Sequence, residues 1–322
     1  MIPGPLPQAP ILTVTLNPAL DLSTSTDAVV PELKLRCEAP DIDPGGGGIN
    51  VSRAVAILGG RSIALVALGG ATGARLCDLL HETGLPVLRL QAPGETRQSL
   101  AVIDRGTGAQ FRFVLPGPQW RPSEVHEALN AVLGAAPADG IVVVSGSNPP
   151  GVPPEFASLL AQRLAGRETR LFVDTSGAAL ASVAAARGAP LAVLRMDDAE
   201  AEGLAGRPLP MRQDTADFAS TLVRMGAARA VIVARGADGN IVACPAGRWH
   251  AEAPPVPVIS KVGAGDSFVA GYALGAARDM AVPDALALGA AAAAAAVMTP
   301  ATDLCRPEDV ARLYEQRVVT AI

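Results

Sequence analysis

Apolar positions along the chain alternate between two rhythms. Short runs rich in Val, Ile and Leu at 11–16, 63–68, 141–145, 171–174, 191–194 and 230–234 lack regular polar alternation, the pattern of strands buried on both faces. Between them, segments at 49–58, 74–82, 122–133, 154–164, 177–186 and 215–225 place apolar residues three and four apart and predict helices. Strand then helix, repeated, specifies an α/β fold in which a largely parallel sheet is covered on both faces. Two stretches break the rhythm. Residues 22–42 and 97–115 carry short alternating segments and turn signals such as Gly106-Thr107-Gly108, with no helix between, and predict a small antiparallel β flap. Because both are insertions between core elements, one domain over 11–322 with a lid is expected. A loose, proline-rich tail over 1–10 precedes it. After Gly236-Ala237-Asp238-Gly239-Asn240, read as a tight hairpin, the sheet is expected to end, and two Ala-rich helices follow at 266–278 and 283–298.

Composition narrows the class. The chain has 322 residues, 49% of them hydrophobic, so it can bury a large core and is not intrinsically disordered. Cys37, Cys77, Cys244 and Cys305 are scattered without paired spacing, which excludes a disulfide-stapled scaffold and makes the cytoplasm the expected compartment. No segment approaches the roughly 20 apolar residues that span a bilayer, and the start of the chain has neither a basic nor an apolar signal region. A net charge of -5, no block of Lys or Arg, and only Trp120 and Trp249 as large flat rings leave no footprint for nucleic acid or a membrane surface. The expected partner is a small molecule. Of 26 basic residues 24 are Arg, so the two lysines, Lys34 and Lys261, stand out as positions that call for an ammonium. His81, His126 and His250 have no metal-ligand spacing and read as structural.

The strongest local signal is Val262-Gly263-Ala264-Gly265-Asp266-Ser267-Phe268, opening a helix after an extended approach. Glycines let a backbone come close to a ligand, while free N–H groups and the helix dipole favour an anion such as phosphate. Asp266 there is either a first-turn acid that suits the dipole or a base placed beside an anion nest. Pro44-Gly45-Gly46-Gly47-Gly48-Ile49-Asn50 also leads into a helix; four glycines in a row imply close backbone contact, and something is expected to dock on that loop. The spacing fits neither a dinucleotide fingerprint nor a P-loop. Asn50 and Asp21 are either polyol-binding groups or ordinary cap and turn residues.

From about residue 11 to 309 the chain resembles the ribokinase-like carbohydrate kinases of the phosphofructokinase B family. Both signatures are present, Gly45 to Gly48 with Asn50 and Gly263-Ala264-Gly265-Asp266. Within that family the likeness is to the minor 6-phosphofructokinase type, through Leu33-Lys34-Leu35-Arg36-Cys37, Thr96-Arg97-Gln98, Arg112-Phe113-Val114 and Ser145-Gly146-Ser147. The resemblance implies a three-layer αβα sandwich with an antiparallel β lid. It implies an ATP- and Mg2+-dependent transfer to the C1 hydroxyl of fructose 6-phosphate, yielding fructose 1,6-bisphosphate. Tagatose 6-phosphate or fructose 1-phosphate, and a catalytically silent sensor, are the alternatives. Asp266 matches the family's base; Gly263, Ala264 and Gly265 form its anion nest; Lys34 matches a lid lysine that reaches the γ-phosphate. Asp21, Gly46, Gly47, Asn50 and Ser145 fall on the sugar, and Arg36, Arg97 and Arg112 on its phosphate. Arg195, Arg235, Gly236, Gly239 and Lys261 fall on the nucleotide. Asp197 replaces the family's Asn and Glu200 keeps the place of its Glu, as water-mediated magnesium ligands; three apart at an expected helix start, the two acids are alternatively ordinary caps. Thr299-Pro300-Ala301-Thr302-Asp303 replaces a more polar stretch that in some relatives holds a monovalent cation, so that ion is left open. Relatives pair their lids, and a homodimer is expected.

Overall fold

The computed structural model describes residues 7–300 and 303–322. Seven parallel strands make the body of the main sheet: β1 (Ile11–Thr15), β4 (Ile63–Leu68), β5 (Val87–Gln91), β8 (Ile141–Ser145), β9 (Arg170–Asp174), β10 (Leu191–Asp197) and β11 (Ala228–Ala234). Antiparallel β12 (Asn240–Cys244), β13 (Gly247–Ala251) and β14 (Val319–Ala321) extend it, giving the order β14-β13-β12-β11-β10-β9-β8-β1-β4-β5. Alternation along β8 shows why the strands read as continuous apolar runs. Val142 and Val144 feed one core and Ile141 and Val143 the other, so both faces are buried.

One core is closed by α3 (Pro122–Ala135), α4 (Phe156–Leu164), α5 (Gly177–Ala185), α6 (Asp198–Ala205) and α7 (Arg212–Arg224). The other is closed by α1 (Gly47–Ile57), α8 (Ala264–Ala277), α9 (Val282–Val297) and α10 (Pro307–Glu315), with α2 (Gly70–Glu82) packed beside α1. The Ala-rich pair α8 and α9 touches closely because of its small residues. A Cβ on Gly271 would lie 2.8 Å from the Leu288 carbonyl oxygen, and one on Gly289 would lie 2.9 Å from Phe268. A buried hydroxyl chain, Thr13 to Ser52 (2.8 Å) and Ser62 to Ser52 (2.9 Å), ties β1, α1 and the start of β4.

The lid is a separate sheet in the order β3-β2-β6-β7, from β2 (Ala19–Thr26), β3 (Asp41–Gly45), β6 (Arg97–Asp104) and β7 (Gln110–Val114). Its outer pairs are antiparallel, while β2 and β6, which join the two insertions, are parallel over eight residue pairs.

The structure departs from the sequence reading in three places. The main sheet does not end after residue 240, because β12 and β13 form a hairpin and β14 adds to its edge. Helix α10 and strand β5 were not anticipated, and α6 was anticipated only as a helix start at Asp197 and Glu200. Of the expected tail, residues 1–6 lie outside the described residues. Gln8 is already held to the Arg61 backbone by both ends of its amide, and the Ala9 N–H donates to the Ala277 carbonyl at 2.7 Å.

The α8–α9 contact yields a test. Gly271→Ala would gain about 1 kcal/mol of helix propensity, but its methyl must displace a backbone carbonyl, so a net loss of about 1–3 kcal/mol is expected from overpacking. A urea midpoint equal to or above that of the parent would show that the helices do not meet this closely.

Candidate active site

In the main sheet the chain winds outward in both directions from β1 and β8, toward β4 and β5 on one side and toward β9, β10 and β11 on the other. Such a reversal opens a crevice beyond the carboxyl ends of the strands. The glycine loop fills its floor. A Cβ at Gly47 would sit 2.3 Å from Ser145 Oγ, one at Gly48 2.6 Å from Thr15 Oγ1, and one at Gly45 2.0 Å from Asp21 Oδ2. Gly46 caps α1 at φ 132°, a backbone conformation that side chains avoid. What docks on this loop is the protein's own framework, the ends of β1 and β8 on one side and the lid strand β2 on the other. Thr15 Oγ1, Ser145 Oγ and Asn17 Oδ1 are buried there without protein partners, and unpaired polar atoms at a crevice are donors and acceptors left for a ligand.

Two helices begin side by side at this point. Gly263, at φ 76°, leads into α8, and neither it nor Gly46 supplies a side-chain cap, so the first N–H groups of both helices remain available to an anion. Asn50, in the first turn of α1, donates Nδ2–H to Asp266 Oδ2 at 2.9 Å, in the first turn of α8. Asp266 is half-buried: it is screened by its surroundings yet still open to the crevice. Burial pushes its carboxyl up to about 7, reinforced by the Asp174 charge and opposed by the Asn50 hydrogen bond and Arg195. At neutral pH this carboxyl can take a proton and give it back.

Asp174 and Arg195, partners across β9 and β10, form an ion pair at 3.2 Å with both side chains mostly buried. Arg195 also lies against Gly265, where a Cβ would come within 3.4 Å of its guanidinium, and its Nε is buried without a partner. Sequence reasoning found Arg195 but missed Asp174. The available signal was an acid ending an apolar run at the carboxyl edge of a parallel sheet. Thr15 and Asn17 were missed as well.

Side chains of paired residues share a face of a sheet. On the lid this places Asp21, Asp43, Arg97, Ser99 and Arg112 on one face, and Leu22, Ile42, Leu100, Val102, Phe111 and Phe113 on the other. Burial holds the Asp21 carboxyl above its ordinary range despite Arg97 and Arg112 nearby, and Asp43 adds to the effect. Arg97 Nε–H donates to the Asn17 carbonyl at 3.2 Å, which seats it at the base of the lid. Arg36 and Lys34, by contrast, lie exposed on the coil between β2 and β3; neither is brought to Asp266 or to Arg97 and Arg112 by a hydrogen bond or ion pair.

On the far side of α8, Asp197 and Glu200 form a capping box at the start of α6. Asp197 Oδ1 accepts from the Glu200 N–H at 2.8 Å, and Glu200 Oε2 accepts from the Asp197 N–H at 2.9 Å. One oxygen of each carboxylate is thus used structurally, leaving the second oxygen of each for a hydrated cation. Burial, with Asp197 and Asp174 nearby, raises the Glu200 carboxyl above its usual range, a shift that a cation would oppose. Among the described residues no three His, Cys, Asp or Glu side chains are grouped to hold a metal directly.

Arg235 plays a part the sequence did not reveal. Its guanidinium is committed to Asp238, Thr215 and the carbonyls of Leu209 and Pro210, so the side chain anchors the single 3-10 turn Gly236–Asp238 instead of reaching outward. Buried His250 donates its Nε2–H to the Asp238 carbonyl and fixes the same turn. Gly239 is needed because a Cβ would lie 2.1 Å from the Ala251 carbonyl oxygen, while Gly236 faces open space. Lys261 is exposed shortly before Gly263. In the stretch 299–303, Ala301 and Thr302 lie outside the described residues; Thr299 Oγ1 is spent on the carbonyls of Ala296 and Asp303.

Two large grooves lie elsewhere. Grooves of about 790 and 1340 Å3 open near the amino ends of the strands, whereas Asp266, Asp174 and Ser145 sit at the carboxyl edge. Polar convergence and not volume marks the site.

Residues 15–309 match the sequence pattern of the pfkB family carbohydrate kinases. An ATP-dependent 6-phosphofructokinase isozyme 2 from Mycobacterium tuberculosis is 38% identical over 305 residues, covering 95% of this chain and 89% of that protein. Among solved structures, phosphofructokinase-2 from Escherichia coli in complex with potassium superposes with a TM-score of 0.89 at 37% identity, over 96% of this chain and 99% of that one. The tetrameric inhibited form of the same Escherichia coli protein gives 0.88 at 36% identity, over 96% and 99%. A match over nearly the whole chain, on a fold whose two glycine-led helices meet at an acid, means that this chain belongs to the pfkB family of carbohydrate kinases.

Proposed function

We propose that the protein is an ATP-dependent 6-phosphofructokinase that phosphorylates the C1 hydroxyl of fructose 6-phosphate. The observation that carries this reading is the position of Asp266. Its carboxyl is drawn partly out of water, held by Asn50, and set in the first turn of a helix whose N–H groups are free. Asp266 accepts the proton of the C1 hydroxyl as that oxygen attacks the γ-phosphorus in line and the ADP oxygen leaves. The N–H groups of Ala264 and Gly265 take up charge on the transferring group. Lys34 reaches the γ-phosphate when the lid approaches the core, which the long coil that carries it permits. Asp21 and Asn50 bind sugar hydroxyls, Arg97 and Arg112 hold the 6-phosphate, and Arg36 joins them from the same coil. The turn at Gly236–Asp238, Arg195 and Lys261 face the nucleotide. Magnesium, held through water by the free oxygens of Asp197 and Glu200, would offset charge on the triphosphate. Four free cysteines fit a reducing cytoplasm.

The lid supports a homodimer. Its polar face is turned to the site, while Leu100, Phe111 and Phe113 on the opposite face are 37%, 38% and 52% exposed, an apolar surface that a second lid would cover. Larger assemblies are compatible with this, since the Escherichia coli relative has a tetrameric form.

ADP release measured with fructose 6-phosphate, tagatose 6-phosphate and fructose 1-phosphate tests the assignment. The first is expected to give the highest kcat/KM; no ADP release with any sugar would favour a sensor. Arg97→Ala should raise KM for the sugar phosphate by about tenfold or more while leaving KM for ATP little changed, and equal rises would remove Arg97 from the phosphate site.

Asp266→Asn should lower turnover about 10² to 10⁴ fold. Because the base acts only when ionised and its carboxyl titrates at about 7, log kcat/KM should fall with unit slope below that pH. Asn50→Ala removes a donor to the charged form and should move this limb up; Asp174→Asn removes a like charge and should move it down. A limb that stays fixed in both variants would assign the titration to another group. For assembly, Phe113→Glu should convert a dimer to monomers in sedimentation, and an unchanged mass would move the interface off the lid.

A further inference from the structure

A groove of about 790 Å3 lies at the amino-terminal ends of β1 and β4, between α1 and the end of α2, at the opposite edge of the sheet from Asp266. Its walls are largely apolar, built by Ile11, Ile57, Leu85 and Pro86, and no Asp or Glu lines it among the described residues. Most polar groups in it are already satisfied. Gln8 spends both ends of its amide on the Arg61 backbone, and the Ser62 hydroxyl is bonded to Ser52. The Arg61 guanidinium lies in solvent, and Arg53 is the exception among the groups drawn out of water. It lines the groove half-buried, and its Nη1 is buried without an acceptor. A guanidinium cannot shed its charge to relieve that situation, so the groove carries an unanswered positive charge at an apolar wall.

We propose that this groove is a second small-molecule site, for an amphipathic monoanion of the aliphatic carboxylate class, its head group on Arg53 and its chain along Ile57 and Leu85. The volume is that of an ordinary ligand pocket; of the two arginines that line it, Arg61 is exposed to solvent and only the half-buried Arg53 has a buried N–H without an acceptor at the apolar wall, which favours one anionic head over a polyanion such as a nucleotide. Arg53 and Asn50 are one turn apart on α1, so an occupant would sit on the helix that positions Asp266.

The test is calorimetric titration of the full-length protein with octanoate, using 1-octanol as a chain-matched neutral probe. Saturable binding of one octanoate per chain is expected, with octanol about tenfold weaker or worse. Arg53→Met should weaken octanoate by a similar factor. Ala56→Trp, at an exposed position on the groove wall, should block it without entering the core, and serves as the deciding variant if Arg53→Met does not fold. No saturable octanoate binding at millimolar concentration, octanol bound as tightly as octanoate, or binding that survives Ala56→Trp would each overturn the proposal.

Discussion

A carboxylate removed from bulk water between two helix starts is the constraint around which this structure is arranged. Asp266 can sit there because Asn50 donates to it from α1 and because Arg195, held by Asp174, offsets part of the cost. Each supporting group comes from a different element, and those elements are placed by a sheet whose strands are buried on both faces. The apolar alternation of β8 and β9 is thus the distant cause of an acid that titrates near neutrality. The arrangement has a thermodynamic cost. In the unfolded chain the same carboxyl ionises near its ordinary value, so between that pH and about 7 the folded state binds the proton more tightly and loses stability as pH rises.

Glycines do two kinds of work near this acid. At Gly46 and Gly263 they permit a backbone turn that other residues resist, and so start each helix with uncapped N–H groups. At Gly45, Gly47 and Gly48 they let the loop lie against Asp21, Ser145 and Thr15 with no side chain between. The loop is accordingly a spacer set to zero thickness, joining the lid strand β2 to the carboxyl edge of the core.

Much of this could be read from the chain. Buried parallel strands have an unmistakable apolar signature, and both glycine-led helix starts were visible with Asn50 and Asp266 in them. Other features left weaker traces. β5 and β14 are edge strands with half-exposed residues and little apolar periodicity; α6 is a short helix of weak periodicity whose capping box, Asp197 with Glu200, had been read first as a metal pair and in the alternative as helix caps. Asp174 escaped notice because its meaning depends on Arg195 being opposite it in the sheet, a relation that no local window contains. Arg235 was placed in the right turn, but only three-dimensional packing reveals that its donors are already occupied by Leu209, Pro210, Thr215 and Asp238. Sequence conveys which residues share a neighbourhood more readily than which way they point.

The parallel pairing of β2 with β6 has one more implication. Because two insertions far apart in the chain are zipped into a single plate over eight residue pairs, Asp21 from the first and Arg97 and Arg112 from the second travel together or not at all. Under the proposed function, a molecule gripped by Asp21 at its hydroxyl end would therefore bring the guanidinium groups with it for its other end, as one plate.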